Sequence, residues 1–117
     1  MITVYGIPNC DTVKKARAWL AAQGLAHNFH DFKKQGVPND QLQAWASAVG
    51  WDKLLSRQGT TWRKLDAAAQ ASAATPLGAQ KLATDHPSVI KRPVAEWPDG
   101  FVTIGFDATQ WAEIVKK

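Results

Sequence analysis

Tyr5-Gly6-Ile7-Pro8-Asn9-Cys10-Asp11-Thr12-Val13-Lys14-Lys15-Ala16 passes from strand through turn to helix, and the chain's single cysteine stands at the last junction. Before it, Ile2-Thr3-Val4-Tyr5 alternates briefly and reads as a strand ending at Gly6. Gly6-Ile7-Pro8-Asn9 is turn material. From Asp11 the period becomes helical. Val13, Ala16 and Leu20 fall on one face, while Lys14, Lys15 and Arg17 stay in water. Gly24 closes that helix, and His27 to Phe32 reads as a second strand.

Further along, Asn39-Asp40 after Pro38 is a start signal, and Gly50 closes the segment it opens. Alanine dominates from Ala67 to Ala74 and favours helix by propensity alone. Pro76 opens another helix that ends near His86-Pro87. The last third returns to strands. Val89-Ile90 leads through Arg92-Pro93 to Val94-Ala95-Glu96-Trp97. Pro98-Asp99-Gly100 is a hairpin turn, and Phe101-Val102-Thr103-Ile104 is the returning strand. Asp107 and Gln110 resemble a capping box, and Trp111, Ile114 and Val115 share a face of the final helix. The order is β-α-β, a helical stretch, then β-β-α. The expectation is one α/β domain over residues 1–117, a mixed four-stranded sheet with a helical insertion at roughly 37–87.

A chain of 117 residues with 45% hydrophobic and 21% charged residues can bury one core without disulfides or metals. No apolar run approaches the ~20 residues that span a bilayer, so no membrane association is expected. The N-terminus carries no basic region or cleavage site of a signal peptide, and the expected location is the cytoplasm. The net charge of +4 comes without a run of like charge longer than a pair. Nucleic-acid binding calls for a denser basic stripe and is not expected, whereas a small anion fits the balance.

Cys10 is where chemistry is available. As the N-cap of the first helix its sulfur faces unpaired backbone N–H groups, and those donors with the helix dipole favour thiolate over thiol. Lys14, one turn on, adds positive charge, and Asp11 opposes it. The bland alternative is a buried inert thiol; the position between Pro8-Asn9 and a helix argues for exposure. A phosphatase loop needs an arginine at the sixth residue after the cysteine, and that residue is Ala16. A dithiol motif needs a second cysteine at position 13, which is Val13. What remains is monothiol exchange, completed by an external thiol such as glutathione.

Arg63, in Thr60-Thr61-Trp62-Arg63-Lys64-Leu65, and Arg92, before Pro93, are guanidinium groups suited to oxyanions and carboxylates. Alone, either reads first as a surface arginine. A cis bond at Pro93 would hold its neighbour's backbone beside the cysteine loop. The six tryptophans read as packing residues, with Trp62 singled out because it neighbours Arg63. His27 and His30 point to opposite faces of a strand and make no metal pair, and Asp31 is expected to face solvent.

The run from Tyr5 to Ala16, together with Thr60-Thr61-Trp62-Arg63-Lys64-Leu65 and Ile90-Lys91-Arg92-Pro93, resembles the glutaredoxin-linked arsenate reductase (ArsC) family across essentially the whole chain. The resemblance is to its YffB-like branch, with the transcription regulator Spx more distantly similar. It implies a thioredoxin-like fold with a helical insertion, cis Pro93, and Cys10 as nucleophile. It also implies an anion site drawing on Asn9, Lys14, Arg63, Arg92 and Pro93. Of three arginines that bind the oxyanion in the arsenate reductases, Arg63 and Arg92 match two, and the third position falls near Gly105. A histidine before the nucleophile is replaced by Gly6, and a serine after it by Val13. These departures favour a glutathione-dependent thiol reductase over arsenate reduction. The implied protein is a monomer without a bound cofactor. Glutathione would be its co-substrate and glutaredoxin a partner. A Spx-like regulator binding RNA polymerase is the alternative from another class, although that switch uses two cysteines and this chain has one.

Overall fold

The structure, a computed structural model, describes residues 1–116. In chain order the elements are β1 (Ile2–Gly6), α1 (Asp11–Ala22), β2 (His27–Asp31), α2 (Phe32–Gln35), α3 (Asn39–Val49), α4 (Trp51–Leu54), α5 (Thr60–Lys64), α6 (Ala67–Ser72), α7 (Pro76–Asp85), a 3-10 turn (Pro87–Val89), β3 (Val94–Glu96), β4 (Val102–Ile104) and α8 (Ala108–Val115). They form two compact units, one of residues 1–31 with the described residues from 92 onward and one of residues 32–91.

The first unit holds the whole sheet, in the order β2-β1-β3-β4. β1 runs parallel to β2, which is possible because α1 makes the crossover, and antiparallel to β3. β3 returns as β4 through the expected hairpin. The turn closes with Gly100 N–H donating to the Trp97 carbonyl at 2.9 Å, and Gly100 adopts φ 88°, a conformation that favours glycine. This is a mixed four-stranded thioredoxin-like sheet of the α/β class, as the element order predicts.

Strand alternation gives the sheet two faces of different character. Ile2, Val4, Ala95 and Trp97 pack with Ala16 and Leu20 of α1 and with Trp111 of α8. Trp111 is the hub: fully buried, it meets Trp97 at 5.0 Å and Phe106 at 4.9 Å, both edge to face. The Trp97 indole N–H donates to Thr103 Oγ1 at 3.1 Å, which satisfies two buried polar groups at once. Asp107 caps α8 by accepting the Gln110 N–H at 3.1 Å, as its spacing predicts. On the opposite face, the buried Tyr5 donates its hydroxyl to Glu96 Oε1 at 2.7 Å and its ring lies 5.0 Å from that of His30. Burial, and then the bond to Glu96, raise the Tyr5 pKa well above the ordinary phenol value.

Three local expectations need correction. Asp31 is buried, because the register Gly6↔Asp31 puts it on the same face as His27 and Phe29, the face that α1 covers. Phe32 begins α2 instead of ending β2. Val89 and Ile90 form no strand of the sheet: Val89 ends the 3-10 turn, and Ile90 makes an isolated bridge to Leu55. The two histidines do separate as expected. His27 accepts from Arg17 Nε at 3.2 Å, while His30 stacks with Tyr5. Burial and the adjacent Arg17 charge both lower the His27 pKa.

The second unit is helical, and its core includes Leu42 and Trp45 of α3 and Ala79, Leu82 and Ala83 of α7. Phe32 meets Trp45 with ring centroids 6.2 Å apart. Thr75 caps α7 by accepting the Gly78 N–H at 3.1 Å.

The aromatic hub dominates burial in the first unit, so Trp111→Ala should destabilise it by about 3–5 kcal/mol. Asp107→Ala, which removes only the cap, should cost about 1 kcal/mol. Urea unfolding followed by circular dichroism measures both. Equal losses would contradict this division of the energy.

Candidate functional site

Cys10 has extended backbone, φ −125° and ψ 125°, and is the N-cap of α1. Two constraints put it there. β1 ends at Gly6, and Ile7-Pro8-Asn9 turns the chain; Val13, Ala16 and Leu20 then anchor the helix, all three fully buried. The Lys14 N–H donates to the Cys10 carbonyl at 2.9 Å and closes the first turn. Pro8 and Asn9 are exposed, and the cysteine itself is half-buried.

The sulfur sits among opposing influences. Burial is the largest and pushes the thiol pKa up. Against it act the Val13 amide, the Arg92 guanidinium by hydrogen bond and by charge, and the Thr12 amide. The net is a pKa below the ordinary thiol value. The sulfur closes no regular capping hydrogen bond, so the two amides act on it as dipoles directed at a partial or full negative charge.

Arg92 reaches the cysteine through the sheet. The Arg92–Pro93 peptide bond is cis, and Pro93 is fully buried. Val94 follows at once, begins β3, and pairs with Tyr5 of β1. The start of β3 is thereby fixed against the end of β1, the strand that feeds the cysteine loop. Cys10 and Arg92, far apart in sequence, are brought into hydrogen-bond contact, while Asn9, Lys14 and Pro93 belong to the same unit.

Arg63 belongs to the helical unit. It is exposed in α5, next to the half-buried Trp62, whose carbonyl accepts from Gln70 Nε2 at 2.9 Å. The Arg57 guanidinium lies 5.7 Å from the Trp62 ring, so Trp62 already has a cation on its face. Among the described residues no cluster of three or more His, Cys, Asp or Glu could hold a metal ion. No helix among them is long and apolar enough to cross a membrane.

Gly6, which ends β1, and Val13, on the buried face of α1, are also the two positions that depart from the polar groups of the arsenate reductase pattern, and they touch. A Cβ at Gly6 would stand 2.8 Å from Val13 Cγ2. The signal was available in outline: a glycine ending a strand just before a helix-start cysteine marks a close approach.

A fold of this order, with a half-buried cysteine at a helix start and an arginine before a cis-proline beside it, defines a thiol-centred member of the thioredoxin-like class. The chain belongs to the ArsC family, whose profile matches residues 5–114. An uncharacterised protein of Haemophilus influenzae is 41% identical over 95% of this chain and 96% of its own length. A solved structure of a YffB protein is 42% identical, covers 97% of both chains and superposes with a TM-score of 0.91. The solution structure of an arsenate reductase (ArsC) related protein from Brucella melitensis is 41% identical over 99% of this chain and 95% of its own, with a TM-score of 0.74. Similarity to the global transcriptional regulator Spx is more distant, 24% identity to that of Bacillus subtilis over 80% of this chain and 72% of that protein.

Arg92→Ala removes a hydrogen bond and a cation that favour the charged sulfur, so the Cys10 pKa should rise. The midpoint of iodoacetamide alkylation against pH should move up by about one unit. Arg92→Lys, which keeps charge without the planar fork, should fall between. An unchanged midpoint in Arg92→Ala would remove the arginine from the site.

Proposed function

We propose that the protein is a monothiol oxidoreductase that uses glutathione as co-substrate and Cys10 as nucleophile. The observation that carries this reading is the contact between Cys10 and Arg92 at the start of α1, with the thiol pKa lowered despite burial. Membership of the ArsC family supports it, and a lone cysteine requires that the second thiol come from another molecule.

The steps balance as thiol–disulfide exchange. The Cys10 thiolate attacks the glutathione sulfur of a mixed disulfide, R–S–S–G. The R–S bond breaks, R–S⁻ leaves and takes a proton, and Cys10 becomes the glutathione mixed disulfide. A second glutathione thiolate attacks the glutathione sulfur of that adduct. Oxidised glutathione leaves and the Cys10 thiolate returns. The net change is R–S–S–G plus one glutathione thiol to R–SH plus oxidised glutathione: the R sulfur is reduced to a thiol as the entering glutathione sulfur is oxidised to a disulfide.

The residues divide the work. The Val13 and Thr12 amides and the Arg92 guanidinium keep the attacking sulfur ionised and stabilise it again when it is the leaving group. In the first unit Arg92, Lys14 and Asn9 bind the glutathione carboxylates, Arg92 by paired N–H donors. Pro93 presents the backbone of Arg92.

Incubation with oxidised glutathione should add one glutathionyl group to the intact mass, lost on reduction and absent in Cys10→Ser. An accessible Cys10 that stays unmodified would overturn the assignment.

Arsenate reduction through the same cysteine, with glutaredoxin as reductant, is the second reading. It is favoured by the 41% identity to the arsenate reductase related protein of Brucella melitensis. A coupled assay of NADPH consumption with arsenate, glutathione and glutaredoxin decides it. The reading requires turnover that Arg92→Ala and Arg63→Ala abolish. A rate equal to the blank rejects it and leaves the thiol reductase.

A further inference from the structure

The closest fitted point of this site is the contact between the end of β1 and the first turn of α1. Gly6 has no side chain, and a Cβ built there would lie 2.8 Å from Val13 Cγ2 and 3.9 Å from Arg92 Cβ. The requirement for glycine is spatial. Gly6 is not among the residues with positive φ, so its backbone conformation alone would accept a side chain.

Neither Val13 nor the strand has room to yield. Val13 is fully buried and β-branched, and such a residue in a helix has one strongly preferred χ1. Gly6 is held in the sheet opposite Asp31, so the strand cannot withdraw from the helix without loss of pairing. A methyl group at position 6 therefore pushes on the helix start, the element that carries the Val13 amide acting on the sulfur, while Arg92 Cβ would stand only in ordinary contact with it.

We propose that Gly6 is a positioning residue for Cys10: with no side chain there, Val13 seats on the end of β1 and its amide is held at the sulfur. Gly6 touches neither substrate nor the reacting atoms. It acts through Val13. Position 6 and position 13 are thus coupled, and a larger residue at one requires a smaller residue at the other. The inference rests on the reading of Cys10 as an activated thiolate and adds how that activation is built. Of the charged groups near the sulfur, Arg92 is hydrogen-bonded to it, while Asp11 and Lys14 beside it are exposed.

The test compares the pH midpoint of Cys10 alkylation in wild type, Gly6→Ala, Val13→Ala and the double variant, each checked for fold by near-ultraviolet circular dichroism. Gly6→Ala should raise the midpoint by about one unit, a tenfold loss of thiolate at neutral pH. The double variant, with the opposing methyls removed, should return most of the way to wild type. A folded Gly6→Ala with a wild-type midpoint overturns the proposal, as does a double variant that keeps the raised midpoint. If Gly6→Ala does not fold, a folded double variant with a near-wild-type midpoint supports the coupling, and an unfolded one overturns it. Failure of the underlying reading looks different: the wild-type midpoint itself would then lie at the free-cysteine value of ~8.5.

Discussion

A sulfur held at the first turn of α1, between backbone amides and a guanidinium, is the constraint on which the rest of the site depends. Burial alone would keep that thiol protonated. The Val13 and Thr12 amides and Arg92 reverse the balance, and each owes its place to a different part of the fold. The amides are there because Val13, Ala16 and Leu20 anchor α1 on the sheet. Arg92 is there because Val94, two residues on, pairs with Tyr5 in the strand that leads into the cysteine loop.

β1 is therefore more than one strand of four. It is the inner strand that pairs with both β2 and β3, its end defines where Cys10 begins its helix, and its last residue is packed against that helix. The two positions where the arsenate reductase pattern departs, Gly6 and Val13, are in mutual contact. They form an apolar joint in place of two polar groups. Activation of the sulfur in this unit then falls on backbone dipoles and one arginine. Such a site suits exchange between sulfurs, in which the attacking and leaving groups are both thiolates.

Much of this was legible in the residues. The β1–turn–α1 junction could be read because a short alternation gives way abruptly to a helical period at Cys10. Asp107 with Gln110, Pro98-Asp99-Gly100, and Pro38 with Gly50 marked their ends through local chemistry that needs no tertiary context. Elsewhere the signals were ambiguous. Val89-Ile90 is apolar and β-branched, yet it serves a 3-10 turn and a single bridge, because a two-residue run carries no period. Asp31 looked like a surface carboxylate, and only the β1–β2 register puts it on the covered face. α4 and α5 are too short to show a helical repeat. For the site, Cys10 was legible from its place at a helix start. The contact with Arg92 was not legible from spacing, because it exists only once β3 pairs with β1. The contact of Gly6 with Val13 was invisible for the same reason, being a distance between two elements.

The most direct measurement is a spectrophotometric titration of the thiolate absorbance, with Cys10→Ser protein as the blank. It reads the ionisation of the sulfur with no reagent, substrate or partner. The account predicts a single transition at Cys10 with its midpoint below ~8.5, the value of an unperturbed cysteine. A midpoint at or above that value would mean that burial prevails over the amides and the guanidinium, and the thiol would have no activation on which to act.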